Sequence, residues 1–482
     1  MAIDFGDMDP GEFRRAGHQL IDWIADYLSN PGKYPVLSRV RPGEIAAALP
    51  ESAPVDGEPF DAIFSDFEHI LVPGLTHWNH PGFFAYFAIT GSAPGVLAEM
   101  LSAALNVQAM LWRTSPSATE LEEVTLTWLR KLLGLPDAFR GVIYDTASIS
   151  TLHALAAARE RYAPDVKTRG MAGRADLPRM RIYGSDQTHS SIDKAVITLG
   201  LGQDSLRKIE SDDSFRMKPE ALARAIADDR ASGWLPIAVV ATVGTTSSTS
   251  VDPVAAIAAV CLDEGVWLHV DAAYAGVAAM VPGFEWILEA ARDADSVVVN
   301  PHKWLFTPFD LSVLYTRHMD VLRAAFALTP EYLKTVESAP VKNLMDTGIQ
   351  LGRRFRALKL WMVIRHFGAS GLRARLAEHM RLAKLFADWV DASAAFERLA
   401  PVPFSVVCFR ARPGGMTDEA LDALNERLLD SVNDTGEIFL SHTKLDGRYT
   451  LRLAVGNLHT TEIHVTRAWE LLQQHAAQLK IA

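Results

Sequence analysis

Six short apolar runs between residues 141 and 315 constrain this chain more than any other feature. They occupy residues 141–144, 181–183, 236–243, 266–270, 296–299 and 311–315, with helix-like stretches between most of them. A run such as Ser296-Val297-Val298-Val299 does not alternate polar with apolar, so it reads as a strand buried on both faces. Strands of that kind alternating with helices predict a mainly parallel sheet covered on both sides, an α/β architecture. Five of the runs stop in polar clusters: Asp145-Thr146-Ala147-Ser148, Ser185 to His189, Gly244-Thr245-Thr246, Asp271 to Tyr274, and Asn300-Pro301-His302-Lys303. Ligands of open α/β sheets bind beyond the carboxyl ends of the strands, which is where these clusters fall.

At 482 residues the chain exceeds one ordinary core, and two or three domains are expected. Three segments are drawn: a helical segment over 1–85, a large α/β domain over 86–370, and a small α+β domain over 371–482. The first helix is predicted from Asp9 and Pro10, with Asp9 as its cap and Glu12 completing a capping box. Its apolar stripe (Phe13, Leu20, Trp23, Ile24, Tyr27, Leu28) needs a cover, from its own domain or from a second subunit. A short helix is expected over 42–49, and a longer one follows Ser115-Pro116 and ends at Gly134. Residues 328–350 form a stretch too long for a simple connection, as lids and binding loops do. A long helical region is expected from Leu351. Beyond it come a strand over 404–410, a helix over 417–432, a hairpin of 436–442 with 449–455 around Asp446-Gly447, and a helix over 460–479.

The net charge of −11 and the lack of a basic stripe argue against a nucleic-acid surface. The two cysteines, Cys261 and Cys408, support neither a disulfide framework nor a cysteine metal site. His77 and His80, three apart beside a proline, do not read as a helical metal pair, so no metal is expected. They belong to an aromatic stretch over 76–87 that reads as a pocket wall, with core packing as the competing account. No signal peptide or membrane-length apolar run is seen, and a cytoplasmic protein is expected.

The polar strand ends specify a chemistry. Thr146, Ala147 and Ser148 are small residues at a helix start, where backbone N–H groups bind anions, although ordinary capping explains them equally well. Asp145 beside them would repel a phosphate unless it points away. Asp271 closes an apolar strand, so its carboxylate wants a cationic partner; facing a ring nitrogen it would keep that nitrogen protonated. Lys303 follows a later strand on the same edge, and His189 could stack on a flat ring. A lysine for an aldehyde, an acid for a ring nitrogen, a stacking ring and an anion cradle together suit pyridoxal 5'-phosphate.

The chain resembles the group II pyridoxal-phosphate decarboxylases, and among them the aromatic-L-amino-acid decarboxylases. The residues that carry the likeness are His77-Trp78, Phe83 to Phe87, Ser115-Pro116, Asp186 to Ser191, Gly244 to Thr246, His269 to Gly276, Asn300 to Trp304 and Leu351 to Arg356. The resemblance implies the aspartate-aminotransferase-like fold (PLP fold type I) and a homodimer whose N-terminal helices pack across to the partner. It implies Lys303 as the Schiff-base lysine, Asp271 as partner of the pyridine nitrogen and His189 as the ring stacker. It also implies Ala147, Ser148, Asn300 and His302 around the phosphate, and Thr246 and Ala273 lining the cofactor. Trp78, Phe87, Ile89 and Gly352 are implied on the substrate side, Gly352 leaving space for a large ring. The implied reaction is decarboxylation of an aromatic L-amino acid to its amine.

One position departs from the family. Counting back from Leu351-Gly352-Arg353-Arg354, the loop tyrosine that protonates the carbanion in relatives corresponds to Leu344, which carries no proton. Either His189 or Tyr332 supplies it, or the chain follows the alternative of oxidative decarboxylation to an aromatic aldehyde. An acidic substrate is disfavoured by the aromatic wall, and a non-catalytic cofactor-binding protein is the remaining alternative.

Overall fold

The computed structural model describes residues 6–328 and 341–480. Seven strands form one sheet: β1 (Arg140–Tyr144), β2 (Met180–Ser185), β3 (Leu206–Ile209), β4 (Leu235–Thr242), β5 (Trp267–Asp271), β6 (Ser296–Val299) and β7 (Ser312–Thr316), in the order β1-β7-β6-β5-β4-β2-β3. The pairs from β3 through β6 are parallel, and β7 runs antiparallel to both β6 and β1. The sheet is therefore mainly parallel, with one reversed strand.

Consecutive residues of the central strands enter two different cores. Val239, Ala241, Leu268, Val270, Val297 and Val313 pack on one face, and Ala238, Val240, Trp267 and Leu314 on the other. Both faces are covered, which is why these strands read as continuous apolar runs. Leu152, Leu155 and Ala158 of the helix Ala147–Tyr162 belong to the second face.

A second, antiparallel sheet joins β8 (Phe396–Arg398), β9 (Val406–Ala411), β10 (Ser441–Leu445) and β11 (Arg448–Ala454) in the order β10-β11-β9-β8. The helices Asp418–Asn433 and Glu462–Lys480 pack with it. Thr417 caps the first of them, accepting from the Ala420 amide. The helix Ala357–Ala392 runs from one sheet towards the other, broken by a left-handed backbone at Gly368.

Several expected bounds move. The first hairpin strand is 441–445 rather than 436–442, because the preceding residues are held elsewhere. Phe439 bridges to Phe83, and the Asn433 side chain brackets Leu440 from both sides. The long helix begins at Ala357 rather than Leu351, since Arg353 is drawn into a buried pair with Glu122 at 2.8 Å. β3, β8 and the helix Ala93–Leu105 were not expected.

The first helix, Pro10–Ser29, starts as expected: the Asp9 carboxylate accepts the Gly11 and Glu12 amides. Its stripe divides. Trp23 packs on Tyr27, Phe64 and Phe67, whereas Phe13 is 68% exposed. Among the described residues no helix is long and apolar enough to cross a membrane. Pro330, Tyr332 and the rest of 329–340 lie outside the described residues.

Candidate active site

Strand register brings the polar clusters to one edge. Tyr144, the last residue of β1, lies opposite Ser312, and Val299, the last of β6, lies opposite Val313. Asp271 closes β5 opposite Thr242, the last residue of β4. The segments that follow β1, β4, β5 and β6 thus leave the sheet side by side. Asp271 shares the face of Trp267 and His269, four and two residues away along the strand. That face is covered by the helix Ala147–Tyr162, and His269 Nε2 meets Thr151 Oγ1 of this helix at 3.4 Å.

Lys303 lies on a single helical turn, Pro301–Trp304, directly after β6. The turn is anchored by Trp304, which is fully buried and donates from Nε1 to His379 Nδ1 at 3.0 Å. Burial lowers the Lys303 amine below its ordinary value, and the Asp271 carboxylate opposes that shift. Asp271 is itself buried and accepts the Ala273 amide at 3.0 Å, and the Ala273 carbonyl accepts the Asn300 amide at 3.0 Å. These two bonds tie the end of β5 to the end of β6. The His189 ring lies within the field of both groups. Desolvation lowers its pKa, Asp271 opposes this, and Lys303 adds to it. Its Nδ1 accepts the Ser191 amide at 3.1 Å, which leaves the ring proton on Nε2.

The anion cradle is narrower than the sequence suggested. Asp145 takes both the amide and the hydroxyl of Thr146, at 2.5 and 3.1 Å. The Ala147 and Ser148 amides remain in the first turn of a helix whose Thr146 side chain makes no capping bond to the helix amides. Across from them, His302 Nδ1 accepts the Leu311 amide, and burial beside Lys303 pulls the ring down to about 3, so it stays neutral with its proton on Nε2. That nitrogen lies 3.4 Å from the Asn300 side-chain amide group. Thr242 Oγ1 is a buried orphan at the same edge. Buried polar atoms are seldom left unpaired, and an orphan hydroxyl beside an open helix start fits an anionic ligand with polar ring substituents. The donor set therefore fits pyridoxal phosphate.

The turn after β4 needs its glycine. Gly244 has φ +87°, and a Cβ there would lie 2.7 Å from Ala275 Cβ. Thr246 is exposed on this turn, and Ala273 is buried.

Of the expected substrate wall, Phe87 is brought to the centre. Its ring centroid lies 5.1 Å from Lys303 Nζ, and it stacks on Tyr274 at 3.9 Å. Tyr274 stacks in turn on Trp304 at 4.9 Å, a column of rings behind the lysine. Trp78 stacks on Phe83 and Tyr86 instead, and Ile89 is half-buried with its amide on the Phe87 carbonyl. His77 and His80 are structural: His77 pairs with the Tyr27 hydroxyl, and His80 accepts the Gly82 amide. Gly352 is exposed beside the Gln108 amide. Leu344 is buried in the turn Leu344–Thr347, on a cavity of about 520 Å³ lined also by Leu126, Phe139 and Tyr315. The contacts of Gly352 and Leu344 on this chain are thus with the β1 side of the sheet, not with Lys303. Sequence reasoning missed Arg452, buried on β11; a charged residue between Leu451 and Leu453 of an apolar strand was the available signal.

The family described as the pyridoxal-dependent decarboxylase conserved domain matches residues 42–412. Tyrosine decarboxylase 2 of Arabidopsis thaliana is 43% identical over 98% of this chain and 88% of its own length. Phenylacetaldehyde synthase of a Rosa hybrid cultivar is 40% identical over 97% of this chain and 94% of its own. The crystal structure of Oryza sativa TDC with PLP and tryptamine superposes with a TM-score of 0.94 at 38% identity, covering 98% of this chain and 99% of that one. The fold is that of PLP fold type I, and with Lys303, Asp271 and the anion cradle on one sheet edge the chain belongs to the pyridoxal-dependent decarboxylase family, as a PLP-dependent carboxy-lyase.

Proposed function

We propose that the protein decarboxylates an aromatic L-amino acid to the arylalkylamine and carbon dioxide. The observation that carries this reading is the Phe87 ring beside the Lys303 amine, an apolar aromatic plate where the substrate must sit. The relatives named for tyrosine decarboxylation support it. When bound, pyridoxal phosphate supplies a sink for the electron pair left on the α-carbon as carbon dioxide departs. In our reading Lys303 holds the cofactor through its amine and yields that place to the substrate amine. Asp271 holds a proton at the ring nitrogen, and His189 covers the ring face. Ala147, Ser148, Asn300 and His302 bind the phosphate, while Thr246 and Ala273 line the ring. Phe87 forms the wall of the aryl pocket.

The last step places a proton on the α-carbon. His189 is the candidate donor among the described residues, because the charges of Asp271 and Lys303 both act on its ring and its Nδ1 is taken by the Ser191 amide, which leaves the proton on Nε2. The second reading, oxidative decarboxylation, draws on the phenylacetaldehyde synthases among the similar proteins, which are 40% and 41% identical to this chain. There oxygen and water enter, and aldehyde, ammonia, carbon dioxide and peroxide leave. Incubation with Trp, Tyr, Phe and 3,4-dihydroxyphenylalanine in air tests both. The expected result is one amine per carbon dioxide for at least one of them. Peroxide and aldehyde equal to carbon dioxide would replace the first reading with the second, and no carbon dioxide from any would end both.

We further propose a cytoplasmic homodimer. Phe13 and, on the helix Ala93–Leu105, Leu97, Leu101 and Leu105 are 48 to 68% exposed, an apolar surface that a second copy would cover. Leu101→Asp is expected to give a sedimenting monomer with at least about tenfold less activity, since buried like charges oppose association. A dimer unaltered in mass would count against this face.

A further inference from the structure

The floor of this site is held by a buried cation that no carboxylate neutralises. Arg452 sits in the middle of β11, with Ser441 of β10 and Cys408 of β9 as its cross-strand neighbours, and is 4% exposed. Its Nε donates to the Ser247 carbonyl at 2.8 Å and its Nη2 to the Thr246 carbonyl at 2.8 Å. Its Nη1 donates to the Tyr86 carbonyl at 3.2 Å and to Ser441 Oγ at 3.1 Å. Among the described residues no Asp or Glu pairs with it. A buried guanidinium is tolerated only when its donors are well met, and here backbone carbonyls meet them.

Those carbonyls belong to the two stretches that shape the site. Thr246 and Ser247 form the turn after β4. Tyr86 immediately precedes Phe87 and has φ +52°, a left-handed backbone that a tyrosine keeps only when its surroundings enforce it. The enforcement is on both of its polar groups. The Tyr86 amide donates to Ser441 Oγ at 3.0 Å, and its carbonyl accepts from Arg452. The kink presents the Phe87 ring to Lys303 at 5.1 Å, with the guanidinium 5.6 Å from the same ring.

A grip on a substrate carboxylate does not account for this residue. Four of its five N–H donors are spent inside the chain, so the two-pronged contact that makes arginine a carboxylate ligand is not on offer. We propose that Arg452 is a positioning residue, a clamp that locks the Tyr86 kink to the Thr246–Ser247 turn and so fixes Phe87 at the distance from Lys303 that an aryl side chain requires. This rests on the reading that the substrate ring packs against Phe87.

The test uses the holoenzyme with Arg452→Lys and Arg452→Met. Lysine keeps the charge but not the fork. Amide exchange followed by mass spectrometry is expected to quicken about tenfold or more in peptides spanning 84–90 and 244–250 of both variants, with little change in the seven-stranded sheet. KM for the aromatic substrate is expected to rise about tenfold or more while kcat stays within about threefold, the mark of lost binding rather than lost chemistry. Exchange and KM at the wild-type level in Arg452→Lys would show that charge alone suffices and overturn the clamp. Faster exchange with unchanged KM would overturn its link to Phe87. If the enzyme turns over no aromatic amino acid, the exchange result still judges the clamp, and only the substrate reading falls. Should both Arg452 variants fail to fold, Ser441→Ala decides: faster exchange over 84–90 with a higher KM upholds the proposal, and no change overturns it.

Discussion

Lys303→Ala is expected to lower decarboxylation by at least about 10³-fold and to remove the visible absorbance of cofactor held covalently by the lysine. Among the described residues the buried lysine Lys359 offers no second amine, being committed to the Pro308 and Asp310 carbonyls and to Glu99. Phosphate and ring contacts remain in the variant, so pyridoxal phosphate should still bind, releasable by dialysis. The same change should alter stability in a definite direction. Burial sets the folded-state pKa of Lys303 below the ordinary 10.5. A base shifted that way is harmless above its unfolded pKa; its cost grows as pH falls below that value and is complete by the folded one. Below that folded value, apo Lys303→Met should therefore melt higher than the apo wild type. Activity within tenfold of wild type would remove Lys303 from the centre of the mechanism.

Asp271→Asn is expected to be the second-largest loss, about 10²- to 10⁴-fold in kcat/KM, with the covalent absorbance of the cofactor retained. The asparagine oxygen can still accept the Ala273 amide that Asp271 accepts at 3.0 Å, so the end of β5 should hold its shape. What disappears is the negative charge that keeps a proton on the ring nitrogen, and with it most of the pull on the α-carbon electron pair. A variant within threefold of wild type would mean that the carboxylate shapes the strand end and does not polarise the cofactor.

The sheet was legible because both of its faces are buried. β4, β5 and β6 feed two cores at once, so they could not be mistaken for amphipathic surface elements. The polar residues at their ends were equally visible, since a carboxylate such as Asp271 at the end of an apolar strand needs a cationic partner, from a side chain or a ligand. β3 was not legible. It is an edge strand, Leu206-Arg207-Lys208-Ile209, whose two central residues face outward to ion pairs with Asp228, Asp229 and Asp193. The helix Ala93–Leu105 hid for the opposite reason. Its leucines, Leu97, Leu101 and Leu105, are all exposed, and its buried face is made of Pro94, Gly95, Ala98 and Ser102, so the apolar stripe does not mark the side that packs on the protein. Leu344 was chosen by sequence offset, and offset carries no information about what a turn packs against. Arg452 escaped because its partners are carbonyls of Tyr86, Thr246 and Ser247, and a carbonyl has no sequence signature.

The span of those bonds bears on how the enzyme is made. Arg452 closes on residues 206 and 366 positions earlier in the chain. The two halves of the anion cradle lie on β1 and β6, joined only through the reversed strand β7. During synthesis the parallel strands can pair as they emerge, but long-range closures of this kind come late and slowly. Cofactor arriving early would meet a lysine without its floor. Cofactor capture is therefore expected to follow closure of the β10–β11 hairpin on the large sheet.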